Sequence, residues 1–191
     1  MQGPKTAFMA AVEQLIAAMD AQTPPGFTGT IDAVLVGGVA VHFHTASRVS
    51  KDLKAIFNRR IIFPSDLHVA YRDGGGRQRL LRFDTHYNPT LALMHPDADR
   101  DAVPVGRVGR FLVKVLTPLD LAVSKIGRWA GNDADDVAAL AGAGLLRPEA
   151  LASRANEAVD YYIGDAARLR HNLRDALELV ERCTPDRPAP P

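Results

Sequence analysis

The residues best placed to do chemistry lie between Leu35 and Phe57. A short apolar run, Asp32 to Val36, stops at Gly37-Gly38, and a segment of small and apolar residues follows, Val39 to Thr45. Ser50-Lys51-Asp52-Leu53-Lys54 then leads into a second apolar run, Ala55 to Phe57. The pattern predicts a strand, a glycine turn, a short helix, a loop, and a strand carrying an outward acid. Paired glycines allow positive φ and let backbone N–H groups approach a ligand with no side chain in the way. A helix N-terminus directly after them suits a phosphate. On a strand, Asp52 and Lys54 face the same side.

Other reactive residue types form weaker patterns. His42 and His44 flank Phe43, but on a helix they point in different directions and no third ligand is near in sequence, so a structural or surface role is favoured over a metal. His68, His86, His95 and His171 are scattered. None of Ser47, Ser50, Ser65, Ser124 or Ser153 lies in a Gly-x-Ser-x-Gly elbow, so serine hydrolase chemistry has no support. Asp73-Gly74-Gly75-Gly76 lacks the Lys-Ser/Thr of a phosphate loop, and no helical pattern follows it. It reads as a hairpin turn.

The elements that would position these residues follow from periodicity. Lys5 to Ala21 predicts an amphipathic helix through Phe8, Val12, Leu15, Ile16 and Met19, stopped by Thr23-Pro24-Pro25-Gly26. Leu67 to Tyr71 and Gln78 to Thr85 predict a hairpin. On the second of these strands Leu80, Arg82 and Asp84 face one way, Leu81 and Phe83 the other. Val103 to Val105 and Phe111 to Val115 predict two further strands. Thr117-Pro118-Leu119-Asp120 is a strong helix start, with a capping Thr, Pro at the first position and an acid after them. Gly131-Asn132 breaks that helix, and Asp133, Asp135 and Asp136 open the next. Two helices, Pro148 to Gly164 and Asp165 to Cys183, finish the chain before a Pro-rich tail, Thr184 to Pro191, expected to be disordered.

The first block resembles the signature of the nucleotidyltransferase superfamily, the polymerase-β-like fold. That signature is a Gly-Gly or Gly-Ser turn followed about ten residues on by Asp-apolar-Asp/Glu on the next strand. Gly37-Gly38 and Asp52-Leu53-Lys54 match it, except that Lys54 stands where the family has its second metal-binding carboxylate. The resemblance makes Asp52 a metal ligand, Ser50 and Lys51 phosphate contacts with the glycine turn, and Asp84 the candidate third carboxylate. Asp84 also reads as a solvated strand end beside Asn88-Pro89. It implies Mg²⁺ or Mn²⁺ as cofactor and an NTP as substrate.

A second block, Leu116 to Leu140, resembles the helix pair of abortive-infection-type nucleotidyltransferase toxins and their uncharacterised relatives. Pro118, Lys125 and Asp133 with Asp136 carry the likeness. It makes Lys125 a phosphate-binding candidate, beside the plainer reading of a snorkelling surface lysine. It also implies transfer to RNA or protein and a cognate antitoxin as partner.

Three readings of Lys54 stand open: it takes over a charge role and contacts a phosphate; the site holds one Mg²⁺ through Asp52 and Asp84; or the fold binds a nucleotide or partner without turnover. The chain has 191 residues, 23 Lys plus Arg against 22 Asp plus Glu, and one cysteine, Cys183. The balanced charge disfavours a dedicated nucleic-acid or membrane-surface binder. A lone cysteine excludes a disulfide framework and a Cys-based zinc site. With no apolar run of spanning length and no signal-like start, a soluble cytoplasmic protein is expected. The expected fold is α/β (α+β): a mixed sheet of about five strands, its first two parallel, with a helical C-terminal half. One domain is expected over 1–183, with the sheet in 1–116 and the helices in 117–183.

Overall fold

Thr6 starts the first helix. In the computed structural model its hydroxyl accepts a hydrogen bond from the Met9 N–H, capping α1 (Ala7–Gln22). Phe8, Val12, Leu15, Ile16 and Met19 are all buried along one stripe. The structure describes residues 1–24 and 26–185, so Pro25 and most of the Pro-rich tail lie outside it. The fold is α+β. Two compact units divide the chain: Met1–Tyr87 with Asp99–Leu116, and Asn88–Ala98 with the chain from Thr117 on.

The first unit holds the sheet: β1 (Ile31–Val36), α2 (Gly37–Thr45), β2 (Asp52–Phe57), β3 (His68–Arg72) and β4 (Gln78–Phe83). A one-turn helix, α3 (Ala98–Asp101), leads into β5 (Val103–Val108) and β6 (Phe111–Val115). The six strands lie in the order β3-β4-β2-β1-β6-β5. β1 is central and nearly all apolar, as a strand covered on both faces must be. Beside it, Phe57, Phe63, Phe83 and Phe111 pack ring against ring at centroid distances of 5.3–6.3 Å. The sheet therefore has one strand more than expected.

The pairing of β1 with β2 corrects the expectation too: it is antiparallel, with Val36 opposite Lys54. α2 ends at Ala46, which takes a left-handed conformation at φ 53, and the chain reverses there. The following loop returns it to the C-terminal end of β1, where β2 starts. The parallel pairs are instead β1 with β6 and β2 with β4.

The second unit is helical: α4 (Pro118–Ile126), α5 (Asp133–Gly142), α6 (Pro148–Asp160) and α7 (Ala166–Cys183). The Thr117 hydroxyl accepts from the Asp120 N–H and donates to the Asp120 carboxylate, as the sequence predicts for this start. That carboxylate, 2 % exposed, also receives two hydrogen bonds from Arg154 at 2.8 and 3.0 Å, which fastens α6 to α4. Asn172 on α7 donates to the last carbonyl of α4, that of Ile126. Segment Asn88–Ala98 lies against α4, where a Cβ at Gly127 would meet the Leu93 nitrogen at 2.6 Å. Among the described residues, no helix is long and apolar enough to cross a membrane.

Candidate functional site

Because β2 begins where β1 ends, the glycine turn and the charged residues of β2 share one end of the sheet. Gly37 adopts φ +60, a left-handed backbone that glycine takes without strain. Lys54 lies beside it, its Cδ 3.6 Å from where a Cβ would stand. At Gly38 the constraint is space, not φ: a Cβ would sit 3.0 Å from both Ser50 Cβ and an Arg48 guanidinium nitrogen. Val36, the residue before α2, offers no side-chain acceptor to the first N–H groups of that helix.

His42 fixes the loop that carries Ser50 and Asp52. Its Nδ1 lies 2.6 Å from the Arg48 carbonyl and its Nε2 2.9 Å from the Thr6 hydroxyl. A carbonyl only accepts, so Nδ1 carries the proton and Nε2 accepts from Thr6. Burial pushes the His42 imidazole below its ordinary value, partly offset by the Arg48 carbonyl. His44 behaves alike, lowered by burial against the Leu116 carbonyl 2.8 Å from its Nε2. Both histidines of the pair are thus structural, joining α2 to its surroundings.

Ser50 closes the loop on Asp52, its Oγ donating to the Asp52 carbonyl and accepting from the Asp52 N–H. Asp52 itself is exposed at the head of β2. The β2–β4 register sets Asp52 beside Arg82 and Leu53 beside Phe83, so Lys54 and Asp84 come next to each other. Leu81 and Phe83 are buried and Arg82 exposed, the alternation expected from the sequence. The Lys54 ammonium stands 3.7 Å from Asp84 Oδ2 and 5.7 Å from the centre of the Tyr87 ring. Asp84 Oδ1 accepts from the His86 N–H. Burial, with the Asp84 charge nearby, pushes the Tyr87 phenol up to about 12.

Gly37, Gly38, Ser50, Asp52, Lys54 and Asp84 therefore converge, with Lys51 exposed at the flank. Tyr87, Arg48 and His42 join them without having been singled out for it. Their signal lies in pairing and loop closure, which a single sequence does not carry. Lys125 belongs to the second unit. Its ammonium donates to Asp133 at 3.2 Å and to Asp136, and its side chain is 10 % exposed. The surface reading of that lysine is corrected: Asp133 and Asp136, past the helix break, turn it inward. Burial raises the Asp133 carboxyl, but hydrogen bonds from Arg128 and the Ala130 N–H, with the Lys125 charge, hold it below the ordinary value.

Compared with known proteins, the chain matches no family model, no curated protein and no solved structure.

Proposed function

We propose that Gly37-Gly38, Ser50 to Asp52, Lys54 and Asp84 form a nucleoside triphosphate site of the nucleotidyltransferase kind. Its activity would be metal-dependent transfer of a nucleoside monophosphate to a hydroxyl on RNA or protein. The observation that carries the reading is the convergence of a left-handed glycine turn, an uncapped helix start and the pair Lys54–Asp84 at one end of the sheet. Backbone N–H groups and an ammonium are what a polyphosphate requires.

The carboxylates fit one Mg²⁺ better than two. Asp52 stands beside Arg82 in the β2–β4 register and Asp84 follows two residues on, so these two carboxylates would hold the ion; among the described residues no cluster of three such donors forms. Mg²⁺ is usually held by one or two carboxylates plus substrate phosphates. Lys54 occupies the place of a further donor. When bound, the ion would neutralise charge on the departing pyrophosphate and align the attacking hydroxyl. Lys54 would exchange Asp84 for a phosphate oxygen, acting as a point charge. Asp52 and Asp84 would be the residues that hold the ion.

A second reading is favoured by the same Lys54–Asp84 contact. An internal cation already answers Asp84, which suits a fold that binds a nucleotide or partner without turnover. Label transfer separates the two. Protein is incubated with Mg²⁺ or Mn²⁺, each α-labelled NTP and a cell extract, with Asp52→Ala as control. Label on RNA or protein that vanishes in the control supports transfer. Metal-dependent NTP binding without label supports the second reading, and the absence of both label and binding would overturn both and leave only the fold.

A further inference from the structure

The second unit carries a groove with no part in the glycine-turn site. It consists of two open hollows that share one wall residue, Tyr161, which closes α6. One half is a cavity of about 360 Å³ walled by Leu93, Met94, Tyr162 and Ile163. The other, about 410 Å³, is lined by His95, Asp97, Glu157 and Asp160. Neither half is lined by a Lys or Arg.

Both the exposure and the charge of this groove are unusual for a surface left to water. Ile163, on the apolar half, is 99 % exposed, and Tyr161, shared by both halves, 72 %. Single exposed apolar residues are ordinary, but neighbouring ones that rim a concave surface mark interaction sites. The groove is also built in advance. Gly164, at φ +157, lets the link fold so closely that a Cβ there would strike the Tyr162 ring at 2.5 Å. His95 accepts from the Asp97 N–H at Nδ1, so its Nε2 donates to Glu157 at 3.1 Å. Hydrogen bonds from Ser153 and His95 hold the Glu157 carboxyl below its ordinary value, so it is charged at neutral pH.

We propose that this groove docks a cationic amphipathic peptide segment of another protein. Apolar anchors fill the half walled by Leu93, Met94 and Ile163, and a Lys or Arg meets Glu157 and Asp160. The acidic half disfavours anionic lipid surfaces and nucleic acids, which its field would repel. Aliphatic anchors beside one complementary charge are the usual grammar of a peptide groove.

The test uses the full chain and a synthetic Leu/Lys amphipathic peptide, followed by fluorescence anisotropy and by amide chemical shifts. Two control peptides replace Leu by Ser and Lys by Glu. The Leu/Lys peptide should saturate and shift amides of 89–94 and 157–163, while both controls bind on the order of tenfold more weakly. Ile163→Ser and Asp160→Lys lie at exposed positions, so they should leave the far-UV spectrum intact and each weaken binding on the order of tenfold. Equal binding of the controls, shifts confined to other residues, or affinity unmoved by both variants would overturn the proposal. So would concentration-dependent self-association abolished by Ile163→Ser, which would assign the groove to a second copy.

Discussion

The Lys54 ammonium stands 3.7 Å from the Asp84 carboxylate, across the pair β2 and β4, at the end of the sheet that also carries the glycine turn. Their side chains are 34 % and 24 % exposed, so the contact is worth at most about 1 kcal/mol and a phosphate or a metal ion can displace it. Lys54→Ala should therefore change stability by less than about 1 kcal/mol. If Lys54 exchanges Asp84 for a phosphate, the same variant should weaken Mg²⁺–ATP binding on the order of tenfold, read by calorimetry. Lys54→Asp should then abolish label transfer. A gain of transfer in Lys54→Asp would instead show that the lysine replaces a lost ligand.

Gly38→Ala probes the closure of the loop. The new Cβ would stand 3.0 Å from Ser50 Cβ, so the Ser50 segment must move by a few tenths of an ångström. We expect a loss of about 1–2 kcal/mol in urea unfolding, as for an overpacked site. Adding Ser50→Gly removes the Ser50 atoms in the way, leaving only the Arg48 guanidinium, and should recover part of it. A Gly38→Ala protein as stable as the parent would mean that the loop does not close on the turn.

Local chemistry was the legible part of this chain. Thr117-Pro118-Leu119-Asp120 announced its helix because a capping hydroxyl, a proline and an acid act within four residues. The turn at Asp73 was equally plain, and there Asp73 Oδ1 accepts from the N–H groups of Gly75 and Arg77. The direction of β2 was not legible. It depends on left-handed Ala46 and on a tether from His42 to the Arg48 carbonyl, and neither residue type favours that outcome by itself. The burial of Lys125 is not legible for a related reason. Helical periodicity fixes a side chain relative to its own helix, whereas the partners that bury this one, Asp133 and Asp136, lie beyond a break. The Lys54–Asp84 contact needed the β2–β4 register, which no alternation pattern supplies.

Lys125→Met should be far more damaging than Lys54→Ala. It would leave Asp136, whose side chain is wholly buried, and Asp133, 2 % exposed, without the ammonium. Breaking a buried pair on one side costs about 3–5 kcal/mol. Combining Lys125→Met with Asp136→Leu removes both charges and should recover much of that, with Asp133 still held by Arg128. Thermal unfolding of the three proteins checks it. A Lys125→Met protein with unchanged stability but weaker NTP binding would give the lysine to the phosphate instead.

Stability should also fall with acid in a window set by His42 and His44. Both are held below the ordinary value of 6.5 by burial, so the unfolded chain takes up these protons at a higher pH than the folded one. Their contribution is complete above pH 6.5 and is lost as pH falls below it toward the folded values. The slope is at most about 1.4 kcal/mol per pH unit for each histidine. Asp133, lowered from 3.8, acts in the same direction only at more acid pH, so the two windows separate. The loss has a local consequence. A protonated His42 has no lone pair to accept from Thr6, and the loop from Arg48 to Asp52 loses the orientation that imidazole gives it. Urea unfolding at pH 7.5 and 5.5 should show the drop, and His42→Asn should be less stable at pH 7.5 with a shallower dependence. A parent protein equally stable at both pH values would mean that these imidazoles take up their protons as readily in the folded chain as in the unfolded one.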